Sequence, residues 1–160
     1  MTVRPLLAAA LALGLAAVST AEDKKEEKKD APVAGTFTGN GKEAKLAFAS
    51  SQKSDFGKDN VVLIFTEKDH SKAKDPRSAA MFNDCGSALI ITVTPEGKVV
   101  GCQVCHEAHK KSGFNDIGTL ETKDFKIADG RLTGTLTTKG EATTFGEKWE
   151  VKLTFSVKRP

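Results

Sequence analysis

The stretch Trp149-Glu-Val-Lys-Leu-Thr-Phe-Ser-Val157 decides the fold class. Trp149, Val151, Leu153, Phe155 and Val157 alternate with Glu150, Lys152, Thr154 and Ser156. Successive side chains of an extended chain point to opposite faces. A period of two therefore predicts a strand with one face on a core and one in water. Trp149 is read as a core anchor of that strand rather than a binding-face residue.

Upstream, the same grammar repeats. Arg131–Thr138 is a Thr-rich strand with Leu132, Gly134 and Leu136 on one face, reached from Leu120–Ile127 through the turn Ala128-Asp129-Gly130. Thr143-Thr144-Phe145-Gly146 reads as the connection into the last strand, with Glu141, Glu147 and Glu150 as solvated charges around it. Ala88–Val93 and Val99–Val104 flank Thr94-Pro-Glu-Gly-Lys98 and predict a β-hairpin. Val61-Val-Leu-Ile-Phe65 is continuously apolar and suits a strand buried on both faces, while Ala44, Leu46 and Phe48 alternate with Lys45 and Ala47. Asp75-Pro76 is an N-cap and first-turn pair and predicts one short helix near residues 76–83, anchored by Met81 and Phe82. About seven or eight short strands with turns between them imply a mainly β fold, an antiparallel sandwich or small barrel.

The N-terminal end has a different composition. Arg4 precedes an uninterrupted Leu/Ala/Val/Gly run from Leu6 to Val18, and Ser19-Thr20-Ala21 supplies small residues before Glu22. This predicts a signal peptide over 1–21; the apolar run is shorter than the ~18–20 residues a membrane span needs. Glu22–Asp30 is almost wholly charged with mixed signs, so residues 22–32 are expected to be a disordered tether ahead of a single β domain over 33–160. The full chain has 24 Lys+Arg against 21 Asp+Glu, net +3, and loss of the leader would remove one of those positive charges, Arg4. So small and evenly spread a balance, with no Tyr at all, argues against a nucleic-acid partner. No stable membrane span is expected after cleavage. The oligomeric state is open; an exposed edge strand could pair with a second copy.

One segment points to specific chemistry. Cys102-Gln-Val-Cys105-His106 has the C-x-x-C-H spacing of covalent haem attachment. In this it resembles the c-type cytochromes over five residues. The resemblance implies thioether bonds from Cys102 and Cys105, His106 as an axial iron ligand, and Met81 or His70 as a distal one. A second reading takes Cys85, Cys102, Cys105 and His106 as a Cys₃His zinc site. A third follows from the odd count of three Cys in an exported chain. The hairpin places Cys102 opposite Ile91 and Cys105 opposite Ala88. Cys85 then comes near Cys105 at the open end, so a Cys85–Cys105 disulfide is favoured over Cys85–Cys102, offset by ~20 Å.

All three readings turn on where one strand stops. If it runs on towards His106, Cys102 and Cys105 point to opposite faces, ~10 Å apart, beyond a shared haem edge, metal or disulfide. That continuation is the expectation adopted here. A thioredoxin-type centre is disfavoured because the motif trails a hairpin instead of opening a helix. Cys105 and His106 diverge as neighbours in a strand, which disfavours a nucleophile–base pair. His106 and His109 in their Lys-rich segment read as solvated, and His70 in Lys68-Asp-His-Ser-Lys72 reads as a loop residue.

The function these observations support is that of an exported, soluble β domain with a non-enzymatic binding or structural role, its ligand unknown and no cofactor required. The alternative is a monohaem c-type cytochrome. The expected location is secreted or periplasmic.

Overall fold

Alternation in the C-terminal segment becomes the longest strand among the described residues, β11 (Glu147–Lys158), whose residues are buried and exposed in turn along almost its whole length. The structure, a computed structural model, describes residues 32–160. The expected signal peptide (1–21) and, Pro32 apart, the expected tether (22–32) lie outside the described residues. On one side β11 pairs with β1 (Val33–Gly39), which carries the short β2 (Lys42–Ala44). On the other it pairs with β9 (Arg131–Thr137) and then β8 (Glu121–Ala128), while β10 (Ala142–Thr144) folds back on its N-terminal end. The second sheet runs β3 (Phe48–Lys53), β4 (Val61–Thr66), β5 (Ala88–Val93), β6 (Val99–Cys105) and β7 (Phe114–Asn115). Every pairing is antiparallel, and the two open sheets form a sandwich.

The two sheets close on one core. Phe37, Trp149, Val151, Leu153 and Phe155 from the first sheet meet Leu63, Phe65, Leu89, Ile91 and Val104 from the second. Each such side chain, fully buried, contributes about 1.5–3 kcal/mol of transfer free energy. The outer face of the first sheet meets water, with Glu150, Lys152 and Thr154 exposed along β11. The second sheet is apolar on both faces, as the run at Val61–Phe65 predicts. Its outer face packs Val62, Ile64, Ala88, Ile90 and Cys105 under Ala80 and Met81 of helix α1 (Pro76–Met81).

Three local expectations are corrected. The alternation at Ala44–Phe48 is broken, because β2 ends at Ala44 and β3 begins at Phe48; Ala44 and Leu46 are buried, but Phe48 faces outward. Helix α1 stops at Met81, with Phe82 as C-cap and 69% exposed, so Ala80 and Met81 are the anchors and Phe82 is not. Asp75 does cap this helix, accepting from the backbone N–H groups of Arg77 and Ser78. Among the described residues there are eleven strands where about seven or eight are expected, because β2, β7 and β10 are only two or three residues long and carry too little periodicity to read. Among the described residues no helix is long and apolar enough to cross a membrane.

Gly35 shows how closely the central strands approach. It has φ of +128°, and a Cβ there would lie 2.1 Å from the Lys152 carbonyl oxygen.

The face assignment of β11 is testable. Leu153→Ala should lower unfolding free energy by about 2–5 kcal/mol, and Lys152→Ala by no more than about 0.5 kcal/mol, in denaturant titrations. Equal losses would contradict the buried and exposed faces described here.

Candidate functional site

Strand β6 carries the site, and its pleat places every side chain of the Cys-x-x-Cys-His segment. It is hydrogen-bonded between β5 and β7 and runs unbroken through Cys105. Its register against β5 pairs Cys102 with Ile91 and Cys105 with Ala88, as the hairpin turn predicts; a bulge near Val93 shifts the pairing nearer the turn. Cys102 and Val104 therefore join the inter-sheet core, and Cys105 joins the outer cluster with Val62, Ile64 and Ala80. The two thiols lie on opposite faces of the second sheet.

Each thiol is held protonated. Burial pushes Cys105 up to about 11, although the Gly113 backbone amide opposes this. Burial raises Cys102 further, with the Asp116 carboxylate adding to the effect. Cys85 is also raised, by burial and then by Asp84. Such thiols are poor nucleophiles and poor thiolate ligands at neutral pH. All three are free. The Cys85–Cys105 pair expected at the open end of the hairpin is not bridged. Cys105 Sγ points at the Met81 carbonyl, 3.7 Å away, while the Cys85 backbone carbonyl accepts from Lys68 N–H.

His106, the first residue beyond β6, turns back between the sheets. Its ring meets Phe37 edge-on with centroids 4.9 Å apart. His109 follows at 5.2 Å, Phe114 lies 5.4 Å beyond it, and Trp149 lies 6.4 Å from Phe114. This row of rings closes one end of the sandwich. The reading of His106 and His109 as solvated is thus corrected: they are 3% and 7% exposed. Glu147, read as a solvated turn charge, is 5% exposed.

The burial follows from a clamp between distant segments. Asn40, in the left-handed region at φ of 48°, donates from Nδ2 to the Ala108 carbonyl (3.1 Å) and to Glu147 Oε2 (2.7 Å), and accepts from Lys148 N–H (2.9 Å). Glu147 Oε1 accepts from Lys111 N–H (3.1 Å). The Asn40 bond lowers the Glu147 carboxyl below its usual range. Gly39 makes room: a Cβ there would lie 2.4 Å from His106 Cγ and 2.7 Å from His109 Nε2.

The hydrogen bonds fix both tautomers. His106 Nδ1 accepts from Ala108 N–H (3.0 Å), so the ring proton sits on Nε2, which has no hydrogen-bond partner. His109 Nε2 donates to the Lys148 carbonyl (2.9 Å), leaving Nδ1 bare and without a partner. A haem held through C-x-x-C-H needs both thiols at one edge and an unprotonated imidazole nitrogen free for iron. Here the thiols are split between two clusters, and the free nitrogen of His106 carries the proton. The residues do not fit a haem. Neither do Cys85, Cys102, Cys105 and His106 converge as a zinc site. Among the described residues no group of three or more His, Cys, Asp or Glu side chains is placed to hold a metal ion.

The suggested distal ligands lie elsewhere. Met81 packs against the outer cluster. His70 is buried in the loop after β4, with Nδ1 at 2.5 Å from Thr66 Oγ1 and Nε2 at 2.7 Å from Ser50 Oγ. Ser50 lies opposite Ile64 in the β3–β4 register, and Ile64 belongs to the outer cluster. His70 is therefore on the outer face of the second sheet, away from His106.

Beside His106 opens a polar cleft of about 230 Å³ walled by Lys42, Glu43, Glu67, Ser87, His106 and Glu107. Glu67 Oε2 accepts from Ser87 N–H (2.7 Å), and Ser87 Oγ accepts from Glu107 N–H (3.2 Å). Sequence reading missed this cleft, because its walls come from segments that carry no shared motif. Compared with models of known protein families, with curated proteins and with solved structures, the chain shows no significant match.

Two predictions follow from this geometry. Made in a host that attaches haem c, the protein should be colourless, with the mass of its own polypeptide. A Soret band that survives denaturation would contradict the split thiols. The second concerns acid. Burial, then the neighbouring His109, holds His106 below the ordinary 6.5, with Glu67 and the Lys42 backbone opposing; burial also lowers His70, with Asp69 opposing. A folded-state pKa below the unfolded one favours the neutral ring in the fold. The stability linked to these rings is present above about pH 6.5 and is lost as pH falls from there towards the folded-state values. The urea midpoint should therefore fall between about pH 7 and about pH 5, before most carboxylates protonate. A flat midpoint across that window would contradict the neutral buried rings.

Proposed function

We propose that this is an exported, soluble β-sandwich domain whose role is non-covalent binding, with the cleft beside His106 as its binding site. The observation that carries the reading is the Nε2–H of His106, a buried donor in the wall of an open polar cleft, since the contact of the ring with the Lys42 backbone falls short of a hydrogen bond. A buried donor left without an acceptor costs about 1–3 kcal/mol, and a ligand acceptor group would recover part of that. Lys42 adds positive charge on the same wall, while Glu43, Glu67 and Glu107 add negative charge. The chemistry suits a compact zwitterion, its carboxylate towards His106 and Lys42 and its ammonium towards the glutamates. The cleft contains no nucleophile–base pair, which favours binding over turnover at this site. Export is supported by the leader-like composition of residues 1–21.

Ligand-observed NMR with a panel of free amino acids tests the reading. Saturation transfer to one or more members is expected, with affinity lowered about tenfold (~1.4 kcal/mol) by Lys42→Ala or Glu67→Gln. No transfer from the folded protein to any member would sink it. Export has a separate check: the mature chain should start at Glu22 and be recovered outside the cytoplasm.

A further inference from the structure

The outer face of the second sheet holds a second arrangement, independent of the cleft. Ser50, His70 and Thr66 form a continuous line of hydrogen bonds, 2.7 Å from Ser50 Oγ to His70 Nε2 and 2.5 Å from His70 Nδ1 to Thr66 Oγ1. The direction of the line is set at its far end. Thr66 Oγ1 donates its proton to the Lys68 carbonyl, 2.7 Å away. A carbonyl can only accept, so Thr66 must accept from His70, and the His70 proton sits on Nδ1. Nε2 is then bare and accepts from the Ser50 hydroxyl. This is the order a nucleophilic serine requires: hydroxyl, bare imidazole nitrogen, and a third group fixing the tautomer.

The surroundings add two features. Ser50 is half-buried on β3, the edge strand of its sheet, while His70 behind it is 4% exposed. Ser50 is thus partly open to solvent, while the ring behind it is closed off. The bond from Ser54 N–H to the Asn60 carbonyl sets the phase of the β3–β4 ladder. Even-numbered residues of β3 turn their amides to β4, and the amides of Ala49 and Ser51 point to the open edge on either side of Ser50. A free amide next to the nucleophile is the type of donor that stabilises an oxyanion.

We propose that Ser50 is a nucleophilic serine that accepts acyl groups from small activated esters, with His70 as its general base and Thr66 as a positioning residue. Ser50 Oγ forms a bond to the ester carbonyl carbon as its proton passes to His70 Nε2. The tetrahedral adduct collapses, the carbon–alkoxide bond breaks, and the leaving alcohol departs with the proton from His70. Water attacks the acyl-serine through the same base and releases the carboxylic acid. Burial holds His70 below the ordinary imidazole value, with Asp69 as the charged neighbour opposing it, so the base is unprotonated at neutral pH.

A fluorophosphonate probe on the full folded protein tests this, with peptide mapping of the adduct. Labelling should fall on Ser50 at least a hundredfold faster than on Ser54 or Ser71, and Ser50→Ala should abolish it. His70→Gln should slow it to the rate of those surface serines. If that variant does not fold, the pair Thr66→Val and Thr66→Ser decides: the first should slow labelling and the second restore it. Labelling of folded wild-type protein spread evenly over surface serines would overturn the proposal, as would Ser50 labelling indifferent to Thr66→Val. Saturation transfer to amino acids at the cleft is a separate readout from Ser50 labelling, so failure here is distinct from failure of the cleft reading.

Discussion

Strict alternation of side chains along β6 governs what the Cys-x-x-Cys-His segment can be. The strand is held on both edges by backbone hydrogen bonds, so its pleat cannot relax locally to bring Cys102 and Cys105 together. One sulfur serves the inter-sheet core and the other the outer cluster. The same spacing at the start of a helix or in a loop would allow both to face one ligand. A five-residue pattern thus carries different chemistry depending on the secondary structure beneath it, and here it supplies two packing groups and a ring that closes one end of the sandwich.

The second sheet is buried on both faces, and this distributes function around it. Odd-numbered residues of β4 pack inward, and Val62 and Ile64 pack outward beneath α1, with Thr66 beside them taking the bond from His70. At one end, the turn after β6 brings His106 and His109 against Phe37, Phe114 and the cleft. On the outer face, the loop after β4 lays His70 over Ser50. All three histidines of the chain are buried. Each reaches its place because a polar partner is available there: the Ala108 amide for His106, the Lys148 carbonyl for His109, and two hydroxyls for His70. Buried polar groups that are fully satisfied, as His70 is, rigidify their surroundings, and a buried atom left without a full partner, as on His106 and His109, stands ready for a ligand.

Much of the fold was legible in the sequence where periodicity was strong. The alternation of Trp149–Val157, the doubly buried run at Val61–Phe65 and the register Cys102 opposite Ile91 all recur in the structure. Legibility failed for short or polar elements. Strand β3 contains Ser50, Ser51 and Gln52 and has no apolar rhythm, yet it pairs along six residues of β4 because β4 needs an edge partner. The candidate site was less legible still. Asn40 and Glu147 stand 107 residues apart, and no local pattern announces that their bond will bury His106 and His109. His70 sits in a charged loop whose neighbours, Lys68, Asp69 and Ser71, are all exposed. Its burial depends on a tertiary contact with Ser50, twenty residues upstream.

The most direct measurement of the central claim is the set of NMR contacts made by the two β6 cysteines in the native protein. Cys102 Hβ protons should show cross-peaks to methyl groups of the inter-sheet core, such as Leu89 and Val104, and none to Ala80 or Ile64. Cys105 Hβ protons should show the reverse pattern, with cross-peaks to Ile64 and Ala88. Both cysteines contacting one and the same set of methyl groups would mean that the strand breaks before Cys105, and the account built on its pleat would fail.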